Sequence, residues 1–159
     1  RAMEYLSLIY DQTRSIAQGL SVKPRDAAAA VARLESELSA ARGAQAHLEE
    51  TAFASIAREH AGRGDILLFQ PPMKPDSVRR LADAAAQTCG GLSAVFAGEG
   101  EHYAYALVRS DGGDIASLVK ELNQTLRGRG GGRSGFAQGS VSAAREEIES
   151  FFAKQRGES

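Results

Sequence analysis

The sequence predicts an α/β protein in which an N-terminal helical hairpin precedes a small mixed β-sheet packed with helices. The first 62 residues show only the three- and four-residue apolar steps of helices. After them, short apolar runs alternate with helical segments in the order strand, helix, strand, strand, helix, helix. Hydrophobic residues make up 43% of the 159 residues and charged residues 25%, as in ordinary folded domains. We therefore expect a helical domain over 1–62 and a globular α/β domain over 63–159.

The helical hairpin is predicted from two amphipathic stretches separated by a turn. The first stretch ends at Gly19, and Pro24 begins a second helix that continues to about His60. The second helix has the seam of a heptad, at Val31, Leu34, Leu38, Ala41, Gln45, Leu48 and Ala52. Because this arm is longer than the first, part of its coiled-coil-like seam lacks a partner, and we expect a spacer or a homodimer surface. The alternative is that the seam packs only on the first helix.

Short apolar runs predict the strands of the globular part. DILLFQ (65–70) indicates a strand that ends at a pair of prolines. The runs 92–97 and 102–108 flank GEGE, which favours a hairpin. We also expect FAQGS (136–140) to form a short edge strand within a glycine-rich loop over 128–140.

Three helices are predicted between and after these strands. One covers 74–91 and is capped by Asp76 or Ser77. A second begins at a cap on Asp114 and ends near Arg127. The closing helix has an apolar face, at Val141, Ile148, Phe151 and Phe152.

Few residues of this chain point to catalysis or metal binding. Cys89 is the only cysteine, which excludes an intramolecular disulfide and a multi-cysteine zinc site and suits a reducing cytoplasm. His47, His60 and His102 do not have the spacing of metal ligands, and no Ser-His-Asp pattern is present. No apolar run approaches the ~18–20 residues that span a bilayer. We expect a cytoplasmic, non-catalytic chain with no metal, no cofactor and no membrane partner.

The glycine-rich loop is the main candidate for a binding site. GRGGGRSGFAQGSV (128–141) holds six glycines, two arginines and no carboxylate. The window 120–145 carries five basic side chains and one acidic one, whereas the whole chain has a net charge of −1. Consecutive glycines can expose backbone N–H groups as an anion-binding nest, and arginine binds phosphate oxygens in a bidentate manner. The candidate nucleic-acid-binding residues are Lys120, Arg127, Arg129, Gly130, Gly131, Gly132, Arg133 and Gln138. The alternative is a tight crossover beneath the sheet with solvated arginines.

The run GRGGGRSGFAQGS resembles the signature of the DHH-associated C-terminal domain. In that family a helix leads to a triple glycine, a basic residue, a short spacer and Ala-Gln. The positions that match are Gly130, Gly131, Gly132, Arg133, Ala137 and Gln138. The hairpin and the opening RAMEYL resemble the form found in alanyl-tRNA synthetases and long-form alanyl-tRNA editing proteins, and FAQGSV favours an editing protein. Many phosphoesterase relatives have histidine where this chain has Arg133.

The resemblance implies a tRNA-binding and dimer-forming C-terminal module of a hydrolase that edits mischarged alanine-accepting tRNA. Such a module would contact the outer corner of the folded tRNA. The zinc-bound editing site would lie upstream of Arg1, and we expect this chain to be the C-terminal fragment of a longer protein. Two alternatives stay open. One is the substrate-binding lobe of a DHH-family phosphoesterase or oligonucleotide nuclease, and the other is a dimeriser with an inert globular part.

Overall fold

A computed structural model of the chain describes residues 1–157. The chain divides into two compact units, Arg1–Leu48 and a second unit that begins at Glu49. The first unit contains α1 (Ala2–Gly19), a short 3-10 helix (Pro24–Asp26) and the beginning of α2 (Ala27–Glu59). No helix within the described residues combines the length and the apolar character needed to cross a membrane.

The first unit buries small residues and exposes large ones. Ala17, Ala27 and Ala30 are buried, and the N–H of Val22 donates to the carbonyl of Ala17 over 2.9 Å in the turn between the helices. The large apolar side chains are exposed on both helices, at Met3, Tyr5, Leu6, Leu8, Ile9, Tyr10, Ile16, Val31, Leu34, Leu38 and Leu48. Exposed apolar surface of this extent is typical of a segment that packs against another surface.

The second unit is built on one mixed five-stranded sheet. Its strands are β1 (Gly64–Gln70), β2 (Gly90–Glu99), β3 (His102–Arg109), β4 (Arg129–Arg133) and β5 (Phe136–Ser142), in the spatial order β1-β2-β3-β5-β4. β1 pairs with β2 in parallel, and the other pairs are antiparallel. The helices are α3 (Pro75–Cys89), α4 (Ala116–Thr125) and α5 (Arg145–Gln155). The predicted α/β class, with a helical region before a mixed sheet, is confirmed.

The helices cover the two faces of the sheet unequally. Alternate residues of β2, β3 and β5 pack on one face against α4 and α5, around Phe96, Tyr105 and Phe152. On the other face, α3 and the end of α2 cover β1, β2 and β3 only, around Leu81 and Phe53. No residue of β4 or β5 belongs to this second cluster. The β4–β5 half of the sheet is therefore covered by helices on one face only.

Several local predictions are corrected by the structure. α3 begins after Lys74 without a side-chain cap, because the two predicted capping residues lie inside its first turn: Asp76 pairs with Arg79 over 3.1 Å, and Ser77 donates to Glu49 over 3.1 Å. The predicted end of this helix is confirmed, since Gly90 has a left-handed φ of 83°. Val141 belongs to β5 rather than to the closing helix. β5 lies between β3 and β4, so the edge strand is β4 and not FAQGS.

Candidate functional site

The segment predicted as a loop over 128–140 instead forms a β-hairpin at the edge of the sheet. β4 and β5 pair in an antiparallel register, with Arg129 opposite Ser140, Gly131 opposite Gln138 and Arg133 opposite Phe136. Gly135 in the connecting turn has a left-handed φ of 76°, which glycine adopts without strain. All five residues of β4 are exposed. The triple glycine is therefore an extended strand, and it does not form the concave nest that we expected from consecutive glycines.

The close approach of neighbouring groups explains most of these glycines. A Cβ on Gly132 would overlap the carbonyl oxygen of Phe136, and a Cβ on Gly130 would lie 2.5 Å from the hydroxyl oxygen of Tyr105. Across the ladder, a Cβ on Gly139 would overlap the carbonyl oxygen of Arg129. Gly131 differs, because a Cβ at that position would meet nothing within 4 Å. Sterics inside the protein therefore account for Gly130, Gly132 and Gly139, but not for Gly131.

A side-chain amide on α4 holds this hairpin in place. Asn123 accepts a 3.1 Å hydrogen bond from the hydroxyl of Tyr105, and its Nδ2 donates over 3.1 Å to the carbonyl of Gly130. The backbone carbonyl of Asn123 also accepts a hydrogen bond from the N–H of Gly128, over 2.8 Å. Burial raises the pKa of Tyr105, although the hydrogen bond to Asn123 opposes that shift, so the hydroxyl stays protonated and donates. Sequence reasoning missed both residues, because no local pattern reveals that β3 pairs with β5 or that α4 packs against β4.

The strand β4 presents its two arginines on the uncovered side of the sheet. Because side chains alternate along a strand, Arg129, Gly131 and Arg133 share one face with their partners on β5. We call this surface the open face; its residues are Arg129, Gly131, Arg133, Phe136, Gln138 and Ser140. Four residues of rise separate the two arginines by about 13 Å. Neither forms a hydrogen bond or an ion pair through its side chain with any residue of 1–157. Both guanidinium groups are thus available to a ligand.

A shallow groove borders the same strand on the opposite side. It has a volume of about 470 Å³ and is lined by Lys120, Asn123 and Gln124 of α4 and by the glycines of β4. The ammonium group of Lys120 is exposed and has no ion-pair partner among residues 1–157. The carbonyl of Gly130 accepts from Asn123 on α4, so it points away from β5. Because the N–H and the carbonyl of one strand residue point to the same side, the N–H of Gly130 also lies on the outer edge of the sheet. Lys120 therefore adds a third free cation beside β4.

Arg127 differs from these free cations because its guanidinium group forms hydrogen bonds and an ion pair within the protein. Its Nε donates to the carbonyl of Ser142 over 2.7 Å, and its Nη2 lies 3.0 Å from a carboxylate oxygen of Glu147. The N–H of Ala144 donates to the same carboxylate, and together with Arg127 it holds the pKa of Glu147 below its ordinary value. The charge of Arg127 is therefore balanced by Glu147, whereas Arg129 and Arg133 have no such partner among residues 1–157.

The predicted site residues thus surround one edge of the sheet without forming one pocket. Arg129, Arg133 and Gln138 lie on the open face, whereas Lys120 lies across β4 in the groove with the glycines. No group of three or more His, Cys, Asp or Glu side chains within residues 1–157 is arranged to hold a metal ion. This arrangement offers guanidinium, ammonium and amide groups, all of which can bind anions.

Comparison with known proteins gives a family and a related fold. The family model described as the DHHA1 domain matches residues 65–156. Among solved structures, the chain is similar to the crystal structure of the C-Ala domain from Aquifex aeolicus alanyl-tRNA synthetase, with 20% sequence identity and a TM-score of 0.51. That similarity covers 61% of this chain and 92% of the other, and at this identity it shows a shared fold. A search of curated proteins finds no match.

Proposed function

Since the chain belongs to the DHHA1 domain family, we propose that it is a C-terminal module that binds nucleic acid through the edge strand β4. The observation that carries the proposal is the set of three cations around that strand, Lys120, Arg129 and Arg133, none of which is neutralised by a carboxylate within residues 1–157. Phosphate contacts supply a large part of the affinity of proteins for nucleic acids. Guanidinium groups are well suited to them because they bind phosphate oxygens in a bidentate manner.

The geometry of β4 supports this role for its arginines. The strand is held by its ladder with β5 and by the bond from Asn123 to Gly130, so the backbone that carries Arg129 and Arg133 is ordered before any ligand binds. A pre-ordered site loses less conformational entropy on binding. Gly131 lies between the arginines on the same face and has no side chain that would hinder a ligand.

The test is RNA affinity measured at several salt concentrations. With three phosphates neutralised, the log–log slope is expected near −2 to −3, and Arg129→Ala with Arg133→Ala should reduce its magnitude by about 2. The matched control is Arg33→Ala with Arg79→Ala, which removes the same charge from two arginines that already pair with carboxylates. Equal salt slopes for the wild type and the β4 double variant would contradict the proposal.

The finer assignment is that the nucleic acid is alanine-accepting tRNA, contacted at its outer corner, and that the parent protein is an editing hydrolase with a zinc site upstream. The signature around Gly130 and the similarity to a domain of an alanyl-tRNA synthetase support it. A phosphoesterase parent is the competing assignment, and Arg133 in place of histidine disfavours it. Binding of an alanine-accepting tRNA in preference to short oligonucleotides of mixed sequence is expected under the first assignment, and the reverse under the second.

The exposed seam of α2 supports a second role, self-association. Leu34 and Leu38 are 42% and 51% exposed, and Leu48 is 70% exposed. A heptad seam that is open to water becomes buried when two copies pair. Leu34→Glu with Leu38→Glu is therefore expected to convert a dimer to a monomer in analytical ultracentrifugation, and Glu35→Lys with Glu37→Lys should not. A wild-type chain that sediments as a monomer at high concentration would refute this role.

A further inference from the structure

We infer that the second unit carries a binding site for a small zwitterion, an α-amino acid with an apolar side chain, in a pocket away from β4. The pocket lies where β1 and β2 begin and β3 ends, on the face of the sheet that α4 and α5 cover. We call it the end pocket and define it by Asp65, Leu92 and Arg109 on the strands, Leu118 on α4, and Phe152 and Arg156 at the end of α5. No residue of β4 or β5 lines it, so the inference does not depend on the proposed nucleic-acid contacts.

Three neighbouring strands bring a carboxylate and a guanidinium group to the same end of the sheet. Leu92 of β2 is the cross-strand partner of Arg109 on β3, and the N–H of Leu92 donates to Oδ1 of Asp65 on β1 over 2.7 Å. Asp65 and Arg109 therefore flank Leu92, with two strand spacings, about 10 Å, between their backbones. They do not pair with each other, although both line the end pocket. The pocket thus offers one negative group and one positive group with an apolar residue between them.

The carboxylate of Asp65 is fixed in position by the start of β2. A Cβ on Gly91 would overlap Oδ1 of Asp65 and would lie 2.6 Å from the carbonyl carbon of Gly64. Any other residue at position 91 would therefore displace this carboxylate. One oxygen of Asp65 accepts from Leu92, and the other has no partner among residues 1–157. The second oxygen is thus free to accept a charge-assisted hydrogen bond from an ammonium group.

Arg109 and Arg156 supply the positive side of the end pocket. Nε of Arg109 is buried and forms no hydrogen bond within residues 1–157, although it lies 3.4 Å from an oxygen of Asp111. A buried donor without an acceptor is costly, and a ligand oxygen would remove that cost. Arg156 is exposed and has no side-chain partner among residues 1–157. Because guanidinium groups bind carboxylates well, these two arginines favour a ligand with a carboxylate.

The size and the wall of the end pocket define the rest of the ligand. Its volume is about 210 Å³, which corresponds to about seven water molecules at roughly 30 Å³ each. Pockets for drug-sized ligands have roughly 300–1,000 Å³, so a nucleotide is too large and a molecule of the size of leucine is suitable. Leu92, Leu118 and Phe152 form an apolar wall. An apolar α-amino acid combines the ammonium group, the carboxylate and the side chain that these surroundings match.

The experiment titrates the full chain with L-leucine, with isocaproate, which lacks the ammonium group, and with isoamylamine, which lacks the carboxylate. Isothermal titration calorimetry measures the affinities, and the amide signals of Leu92 and Arg109 in NMR spectra report the position of the ligand. We expect leucine to bind with a Kd of about 1 mM or below. Each of the other probes should bind at least about tenfold more weakly, because each leaves a charged group of the pocket without its partner.

Two variants assign the charges of the ligand to residues of the end pocket. Asp65→Asn keeps an oxygen that accepts from Leu92, so it should weaken leucine binding about tenfold and leave isocaproate binding unchanged. Arg109→Gln should weaken the binding of both. The matched controls are Asp11→Asn and Arg42→Gln, which remove the same charges from exposed residues of α1 and α2 and should change neither affinity.

Two outcomes overturn the inference. One is that leucine at about 10 mM, tenfold above the expected Kd, neither binds nor shifts the two amide signals. The other is that the wild type and Asp65→Asn each bind leucine and isocaproate equally well. Because no RNA is present, neither outcome affects the proposed phosphate contacts of β4.

Discussion

The two halves of the sheet differ in what covers them. β1, β2 and β3 lie between helices on both faces, and their central residues Val95, Phe96 and Ala106 are wholly buried. β4 and β5 are covered by helices on one face only, and along β5 buried Ala137 and Val141 alternate with exposed Gln138 and Ser140. The first half therefore shows nearly continuous apolar runs, whereas the second alternates, as expected for a strand with one solvated face.

The covered half of the sheet therefore contributes mainly to stability, and the open face offers groups for binding. One apolar cluster lies wholly against the covered half, and the other takes only Ala137 and Val141 from β5, so the covered half contributes most of the sheet's hydrophobic burial. The half with the open face holds Arg129, Arg133, the partly buried Phe136 and Gln138, whose amide forms no hydrogen bond with any residue of 1–157. The open face contributes little to that burial, so it can present polar groups to a ligand on an ordered scaffold.

The largest expected effect on stability comes from a substitution in the covered half of the sheet, and a substitution on the open face should have almost none. Leu81 on α3 is completely buried, and Leu81→Ala is expected to lower the free energy of unfolding by about 2–5 kcal/mol. Gln138→Ala on the open face should change it by no more than about 0.5 kcal/mol. Urea denaturation followed by circular dichroism measures both. A loss above 1 kcal/mol for Gln138→Ala would show that the open face contributes to the fold.

The second effect is a difference in stability between alanine substitutions at two neighbouring glycines of β4. Gly132→Ala would force its Cβ into the carbonyl oxygen of Phe136, and a loss of about 1–3 kcal/mol is expected. Gly131→Ala has open space and a φ outside the left-handed region, so a gain of about 0.4–1 kcal/mol is expected from the reduced freedom of the unfolded chain. Thermal unfolding of the two variants side by side checks this. Equal shifts would contradict the register of the hairpin.

The smallest effect concerns the exposed contact between Arg127 and Glu147 that joins the base of β4 to α5. The folded state lowers the pKa of Glu147, first through the N–H of Ala144 and then through Arg127. The carboxylate therefore contributes its stabilisation above the unfolded pKa, near 4.5, and loses it as the pH falls through the lower folded value. Melting temperatures of the wild type and Glu147→Gln should differ at pH 6 and converge in acid below the folded pKa. A constant difference at every pH would refute this coupling.

Local patterns were sufficient to predict most of the elements. The apolar runs DILLFQ, LSAVFA and HYAYALV correspond to β1, β2 and β3, because strands with a buried face require such side chains. The end of α3 at Gly90 also followed from local chemistry. The N-cap of α4 is Ile115 rather than the predicted Asp114, although the carboxylate of Asp114 accepts from the N–H of Ala116 over 2.9 Å. Residues 129–133 were misassigned, because glycine has a low strand propensity and only pairing with β5 makes this segment a strand.

Only part of the candidate site was predicted, because some of its features depend on contacts between residues that are distant in sequence. Arg129 and Arg133 stand out in the sequence by their charge, and their exposure follows from their type. The balance of Arg127 by Glu147, twenty residues away, is a tertiary contact that no local pattern contains. The roles of Asn123 and Tyr105 also depend on elements that are distant in sequence.

The amino-acid sequence by itself determined the order of the elements, the concentration of positive charge near residue 129 and the membership in a family, because periodicity, composition and signature are properties of neighbouring residues. Only the tertiary structure decided that the glycine run is an edge strand, that α3 leaves one face of β4 and β5 bare, and which cations stay free. The physical reason is that strand pairing, steric exclusion of a Cβ and charge neutralisation act between residues that meet only after the chain has folded.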